Sequence, residues 1–235
     1  ILTGGRKFGT SNLLAGKRIN LEFVSANPTG PLHLGHTRWA AVGDSLGRVL
    51  SAAGAQVSRE FYVNDRGNQM DLFGASLRAA ALGKPRPEDG YHGEYIEDLA
   101  KEIVKSNPKF TELAESESIS AFTQAGYKLQ LDQQRKVLDN FGTHFDTWFS
   151  ERSLYENDFF NHSLDKLKKQ GHVYEQEGAI WLRTTDFGDD KDRVMIKSDG
   201  TFAYFASDSA YYVSKKERGF NLCIYMLGAD HHGYV

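Results

Sequence analysis

The hydrophobic pattern of the first 63 residues predicts a strand, a loop, a helix and a second strand. Apolar and polar residues alternate over 19–24, and a loop with two prolines and a glycine follows over 25–31. Apolar residues then recur at helical spacing from about Gly35 to Gly54, and 57–63 is again typical of a strand. Such strand–helix–strand units build parallel sheets, which bind ligands at the carboxyl ends of their strands.

The composition changes at residue 83, where the segment 84–90 is rich in proline and charge and indicates a linker or the base of an insertion. Helical spacing resumes over 96–103 and again over 119–138. The middle of the chain therefore predicts helices that interrupt the first sheet.

An insertion made of antiparallel strands, which we call the antiparallel excursion, is predicted over 173–205. Two apolar segments, 179–182 and 194–196, flank an acidic loop at 189–192, which we expect to be a solvated turn. The pair at 199–200, Asp-Gly, is a strong signal for a hairpin turn. These strands predict a small sheet separate from the first one.

The chain closes with a predicted helix over 208–217 and a strand over 222–227, whose unbroken apolar run is typical of a strand buried on both faces. Together the elements predict an α/β fold: a Rossmann-like parallel-sheet domain with an inserted helical and antiparallel β subdomain. The expected parts, in order, are the first half of the Rossmann-like domain (1–82), an insertion or linker (83–117), a helical part of the core (118–172), the antiparallel β insertion (173–205) and a second-half Rossmann segment (206–235).

Composition adds limits to this picture. The chain has 235 residues, of which 40% are hydrophobic, enough to bury a sizeable core. No apolar run approaches the roughly 20 residues that a bilayer-spanning helix needs, and the first residues do not resemble a secretory signal. The single cysteine, Cys223, cannot form an internal disulfide, so we expect a cytoplasmic protein.

The charge distribution is uneven along the chain. The net charge is −3, so the chain as a whole lacks the excess of positive charge that is typical of nucleic-acid-binding proteins. Residues 1–82 carry nine Lys/Arg and five Asp/Glu, whereas the remainder carries 19 and 26. This mildly positive front part suits a ligand that bears phosphate.

Two histidines lie where the first loop meets the first helix, in the run His33-Leu34-Gly35-His36. The amino end of a helix exposes free N–H groups and a partial positive charge, so it attracts phosphate. Gly35 lets a nucleotide lie close to the backbone, and imidazole N–H groups can stabilise charge that develops on an α-phosphate. The alternative is a pair of surface histidines at a helix start, but the strand–helix–strand context favours a nucleotide site.

The run from Glu22 to His36 resembles the signature of class I aminoacyl-tRNA synthetases, in its arginyl form. The resemblance continues in order along nearly the whole chain. The further matching segments are 43–46, 59–65, 67–69, 179–183, 186–193, 197–200 and 228–234.

This resemblance implies a two-step reaction without a covalent enzyme intermediate. ATP and L-arginine form arginyl-adenylate, with Mg²⁺ on the leaving phosphates, and the arginyl group then passes to the 3′ end of tRNA(Arg). The residues expected to bind ATP are His33, Gly35, His36 and Pro28, and the two histidines are the expected catalytic groups. The implied partners are arginine and tRNA, with no membrane partner, for a chain that is a monomer or an oligomer of unspecified order.

The resemblance also implies an arginine pocket, in which carboxylates bind the guanidinium. Glu22 and Asp208 match these carboxylates, Tyr204 lies one helical turn before Asp208, and Asn27 matches the contact to the substrate's backbone end. His231 replaces a glutamine of several relatives that contacts the amino acid. The residues alone leave other interpretations open: Glu22 as a solvated residue of an edge strand, Asp208 as a helix cap and Tyr204 as sheet packing.

The run Asp230-His231-His232 is not expected to bind a metal ion, because three adjacent residues of a strand cannot all face one ion. The family's KMSKS-type loop and anticodon-binding domain are expected beyond Val235, and a small domain before Ile1, so we expect the chain alone to be weakly active or inactive. Two rival functions are a pantothenate synthetase-like or cytidylyltransferase-like nucleotidyltransferase, and a non-catalytic RNA-binding module.

Overall fold

The predicted strand–helix–strand unit is present in the computed structural model, which describes residues 4–228 and, at Arg6, the backbone alone. Strand β1 is Arg18–Glu22, helix α1 is Leu34–Ala52 and strand β2 is Gln56–Val63. Each bound lies within two residues of its prediction. Gly54 follows the helix with φ 100°, a left-handed conformation that suits glycine, as expected of a helix end.

The remaining helices and strands follow in chain order. They are α2 (Asn68–Ala81), α3 (Glu94–Ser106), α4 (Glu115–Asn140), β3 (Thr147–Ser150), α5 (Arg152–Glu156), α6 (Phe159–Lys169), β4 (Val173–Gln176), β5 (Ala179–Leu182), β6 (Arg193–Ile196), α7 (Tyr204–Glu217) and β7 (Leu222–Tyr225). Short 3-10 helices occupy Gly5–Lys7, Pro108–Thr111 and Thr184–Phe187.

A four-stranded parallel sheet has the order β3-β2-β1-β7, which confirms the predicted Rossmann-like class. Beyond the carboxyl end of β1, the Phe23 N–H donates to the Glu60 carbonyl at 3.3 Å. At the end of β1 itself, the Met226 N–H donates to the Glu22 carbonyl at 2.9 Å. The residues that follow β1 therefore begin at a central strand, which is where parallel sheets place their ligands.

The prediction that the last strand is buried on both faces is wrong for the part that the structure describes. Leu222 is 48% exposed and Tyr225 is 37% exposed. The reason is the position of β7, which is the outer strand of the sheet within residues 4–228. An apolar run alone does not distinguish a central strand from such an edge.

The antiparallel excursion is confirmed as a three-stranded sheet of order β4-β5-β6. An isolated bridge joins Ile196 to Phe202 across the predicted hairpin turn. The acidic loop is more than a solvated turn, because Arg193 donates two hydrogen bonds to Asp189, at 2.8 and 2.7 Å. These bonds hold the pKa of the Asp189 carboxyl well below its usual range.

Two compact units divide the described chain. One contains the chain up to Asn20 together with Leu50–Val57 and Ser150–Ile224, and so holds the antiparallel sheet, α6 and α7. The other contains Leu21–Val49, Ser58–Phe149 and the chain from Tyr225, and so holds most of α1 and all of α2, α3 and α4.

In the second of these units, α2, α3 and α4 share an apolar core. Phe73 and Phe122 are fully buried in it. Glycines let α2 and α4 approach closely, since a Cβ at Gly74 would lie 2.8 Å from the Ile119 carbonyl and one at Gly126 would lie 3.0 Å from the Phe73 ring. Across residues 4–228, no helix is both long enough and apolar enough to cross a membrane.

Candidate active site

Glu22 is the last residue of β1, and its side chain is 7% exposed. The interpretation of Glu22 as a solvated residue of an edge strand is wrong, because β1 lies between β2 and β7. The Ser25 hydroxyl donates to Glu22 Oε1 at 3.4 Å and accepts the Tyr62 backbone N–H at 3.1 Å. A buried carboxylate at the end of a central strand is a strong candidate for recognising a cation.

The backbone is strained immediately after Glu22. Val24 has φ 67° and Ser25 has φ 43°, and the Ser25 N–H donates to the Phe23 carbonyl at 3.0 Å. This is a tight γ-turn with a β-branched residue at positive φ, a conformation that costs on the order of 1–3 kcal/mol. Strain of this kind clusters at functional sites, and here it lies between Glu22 and Asn27.

The two predicted histidines cap the amino end of α1 reciprocally. The Gly35 N–H donates to His33 Nδ1 at 3.2 Å, and the His33 N–H donates to His36 Nδ1 at 3.1 Å. The ring centroids are 3.9 Å apart. This arrangement resembles a capping box, in which two side chains accept backbone N–H groups at the start of a helix. Here the acceptors are imidazole nitrogens and not side-chain oxygens.

These hydrogen bonds determine which ring nitrogens carry protons. Because both Nδ1 atoms accept N–H groups, both neutral rings carry their proton on Nε2. Each Nε2–H is then available to donate to a ligand at the amino end of α1. Burial lowers the pKa of His36, and the neighbouring His33 ring lowers it further, so His36 is held in this neutral form.

We expect the His36 ring to titrate with a midpoint below the ordinary value of about 6.5. The unfolded chain then binds the proton more readily than the folded chain does. The contribution of neutral His36 to the free energy of unfolding is therefore fully present above a pH of about 6.5, and it is lost as the pH falls through the lower folded pKa. NMR of the ring Cε1–H signals measures the midpoint. His33→Asn removes the neighbouring ring and should raise the midpoint of His36, although burial still keeps it below the ordinary value. A midpoint at or above about 6.5 in the unmodified chain would contradict the lowered pKa of His36.

Gly35 also provides the space that the histidine cap needs. A Cβ at this position would lie 3.0 Å from His33 Cε1 and 3.1 Å from His33 Nδ1. The absence of a side chain therefore lets the His33 ring fold back over the helix end. The pattern HxGH is explained by this geometry, because the cap needs both rings and the glycine between them.

The loop that leads to the histidines contains two further predicted site residues. Asn27 is exposed, and its Nδ2 donates to Oε1 of Gln69, near the start of α2, at 2.9 Å. Pro28 is buried. Gln69 and Ser25 were not among the predicted site residues, although both lie in segments of the recognised motif; only the fold shows which atoms they contact.

The structure thus brings six of the predicted residues into one unit: Glu22, Asn27, Pro28, His33, Gly35 and His36. Tyr204 and Asp208 lie in the other unit, one turn apart on α7. His231 lies outside the described residues.

Two alternative interpretations of α7 are wrong. The helix begins at Tyr204, four residues before its prediction, and its N-cap is Ala203, so Asp208 lies inside the helix and is not its cap. Tyr204 is 89% exposed at the helix start, so it does not pack in a sheet. Both residues remain candidates for ligand contact.

Among residues 4–228, no cluster of three or more His, Cys, Asp or Glu side chains could hold a metal ion.

Comparison with known proteins agrees with this geometry. The family model for the catalytic domain of class I (R) tRNA synthetases matches residues 1–235. The arginine–tRNA ligases of Renibacterium salmoninarum and Paenarthrobacter aurescens are 54% and 51% identical over all 235 residues. The chain spans 43% of the length of each.

A solved structure, of a Campylobacter jejuni protein assigned as an arginyl-tRNA synthetase, matches with a TM-score of 0.88 and 40% identity. The match covers 99% of this chain and 52% of that one. Because the similarity extends over the whole chain and not only over the histidine motif, it sets aside a nucleotidyltransferase of another family. The chain therefore belongs to the family of class I (R) tRNA synthetase catalytic domains.

Proposed function

We propose that this chain is the catalytic core of an arginine–tRNA ligase, which activates L-arginine with ATP and transfers it to the 3′ end of tRNA(Arg). The observation that carries the proposal is the reciprocal histidine cap, which presents two Nε2–H donors at the amino end of α1. The relatives with the name arginine–tRNA ligase support the amino acid and the tRNA. The expected location is the cytoplasm.

In the first step, a carboxylate oxygen of arginine attacks the α-phosphorus of ATP, and the bond to the β-phosphate bridging oxygen breaks. The products are arginyl-adenylate and pyrophosphate, and a magnesium ion bound with the nucleotide would neutralise charge on its phosphates. His33 and His36 donate Nε2–H hydrogen bonds to the α-phosphate oxygens, where negative charge grows in the transition state. Because the cap already fixes both rings, little reorganisation is needed as that charge develops.

In the second step, a hydroxyl oxygen of the terminal tRNA ribose attacks the carbonyl carbon of the adenylate. The bond between that carbon and the phosphate oxygen breaks, AMP leaves, and the hydroxyl proton passes to the departing phosphate. The chain needs no nucleophilic side chain for either step, which agrees with a site made of hydrogen-bond donors and a carboxylate. Charge stabilisation and positioning supply the rate enhancement.

We assign selection of arginine to Glu22, Asn27, Tyr204, Asp208 and His231. A guanidinium has five N–H donors in a planar fork, so carboxylates recognise it more selectively than single acceptors do. Glu22 is suited to this role because it is buried and oriented by Ser25. Asn27 donates its Nδ2 to Gln69, which leaves Oδ1 to accept from the substrate's ammonium group.

The test is a calorimetric titration of the chain with the arginyl, lysyl and glutaminyl forms of aminoacyl-sulfamoyl adenosine, which mimic the adenylate. We expect clear preference for the arginyl form, because the other two cannot satisfy a fork of carboxylates. Asp208→Ala should reduce that preference, with Asp165→Ala, an exposed carboxylate of α6 in the same unit, as the control of equal charge. Equal affinity for the three forms would keep a nucleotide site and reject arginine as the substrate.

A further inference from the structure

The loop Asn27–Gly30 is held by side chains from three different helices. From α4, Gln134 Nε2 donates to the carbonyls of both Asn27 and Gly30, each at 2.9 Å. From α3, the Tyr95 hydroxyl donates to the Thr29 carbonyl at 3.1 Å. With the Gln69 contact to the Asn27 side chain, four hydrogen bonds from these helices hold this short loop.

Gln134 is the most deeply placed of these groups. It is 1% exposed, and it is more than 100 residues from the loop along the chain. Its amide group has two N–H donors, and the two bonds use both of them to join carbonyls three residues apart. The bridge therefore fixes the separation of the loop's two ends.

The position of the loop determines where the binding groups lie. Asn27 is at one end of the bridge, and the other end, Gly30, is three residues before His33. A change in the bridge would therefore move both the Asn27 side chain and the start of the histidine cap. Displacements of about 1 Å are enough to reduce binding and catalysis strongly at sites of this kind.

The same helix contains a matched residue that does not touch the loop. Gln130 lies one turn before Gln134 and is also 1% exposed. Within the described chain, neither its Nε2 nor its Oε1 has a hydrogen-bond partner. The two glutamines thus share residue type, helix and burial but differ in their contact with the loop.

We propose that Gln134 is a positioning residue of the active site, which holds the loop Asn27–Gly30 in the geometry that binds the aminoacyl-adenylate. This inference rests on the proposed function and assigns it a residue that does not touch the substrate. The role is to preorganise the loop, so that arginyl-adenylate binding does not have to order it.

The test compares Gln134→Met with Gln130→Met, since methionine keeps the shape of the side chain and removes its donors. We expect Gln134→Met to weaken binding of arginyl-sulfamoyl adenosine about tenfold and to speed hydrogen exchange of the amides at 29–36 by a similar factor. Gln130→Met should change neither. The melting temperature of each variant shows whether the rest of the fold is intact.

Unchanged affinity and unchanged loop exchange in a folded Gln134→Met would overturn the proposal, and so would equal losses in the two variants. If Gln134→Met does not fold, Gln134→Asn takes its place, since it keeps the amide but shortens the side chain by one methylene, so that one nitrogen no longer reaches both carbonyls; normal loop exchange in that variant would also overturn the proposal. If the unmodified chain shows no preference for the arginyl analogue, the proposed function fails, while the exchange data still report whether Gln134 holds the loop.

Discussion

Glu22→Gln is expected to weaken binding of arginyl-sulfamoyl adenosine by a factor of about 30 to 1,000. The factor corresponds to about 2–4 kcal/mol, the usual loss when one partner of a buried, hydrogen-bonded charge pair is neutralised. Glu22 is 7% exposed, so solvent cannot replace the lost charge at the guanidinium. Glutamine has nearly the same shape and can still accept the Ser25 hydroxyl, so the fold should remain intact.

A neutral ligand separates charge recognition from other effects. The citrullyl analogue has the shape of the arginyl one but no positive charge, so the unmodified chain should bind it far less well. Glu22→Gln should reduce this discrimination between the two ligands. Calorimetry with both ligands measures it directly.

Asp71→Asn is the matched control, because it removes one negative charge from an exposed position on α2 in the same unit. It should leave both affinities within about twofold, since exposed charges are screened by solvent and salt. If Glu22→Gln behaves like Asp71→Asn, Glu22 does not bind the guanidinium.

The sequence best predicted the segments whose apolar residues recur at regular spacing and whose ends are marked by proline or glycine. The segment from β1 to β2 has alternation, a proline-rich loop, a long amphipathic helix and Gly54 at its end. The histidine pair was also predictable, because HxGH at the amino end of a helix has a direct chemical meaning. Local pattern and local chemistry agree in this region.

The errors have physical causes in particular residues. The start of α7 was predicted too late because its N-cap, Ala203, makes no side-chain cap hydrogen bond, and Tyr204 and Phe205 continue an apolar run. The helix thus lacks the polar start signal on which prediction relies. Helix α2 was not predicted, although Met70, Phe73 and Leu77 have helical spacing that could have revealed it.

Contacts between distant segments could not be predicted from one sequence. Gln134 binds carbonyls more than 100 residues away, and Ser25 accepts an N–H from Tyr62. One signal was present: two glutamines interrupt the buried stripe of α4, where apolar residues are expected. Buried amides usually have hydrogen-bond partners, so such a glutamine indicates a tertiary contact without saying which one. Gln134 has two carbonyls as partners, whereas neither side-chain atom of Gln130 has one within the described chain.

Gly43→Ala is expected to lower the free energy of unfolding by about 2–3 kcal/mol, at the upper end of the usual effect of overpacking. A Cβ at Gly43 would lie 2.7 Å from Cε2 of Phe23, and closer still to two other atoms of that ring. The Phe23 ring is fully buried and packs against Phe145, with centroids 4.5 Å apart, so it has no free direction in which to move. For a chain of this size the melting temperature should fall by roughly 4–12 °C.

Gly47→Ala, one turn later on α1, separates this clash from the intrinsic effect of alanine. Both changes gain about 1 kcal/mol of helix propensity. The Cβ at Gly47 would lie 3.0 Å from the guanidinium end of Arg59, which can shift because it is the far end of a flexible side chain. Gly47→Ala should therefore melt within a few degrees of the unmodified chain, and equal melting of the two variants would contradict the packing argument.

Phe23 adjoins both Glu22 and the strained Val24, so the same clash should reach the binding site. A ring displaced by Gly43→Ala pushes on the γ-turn that sets the direction of the loop toward Asn27. We therefore expect this variant to lose affinity for the arginyl analogue even at temperatures where it remains folded, whereas Gly47→Ala keeps it. A folded Gly43→Ala chain with normal affinity would show that the loop takes its geometry from its own hydrogen bonds and not from the packing beneath it.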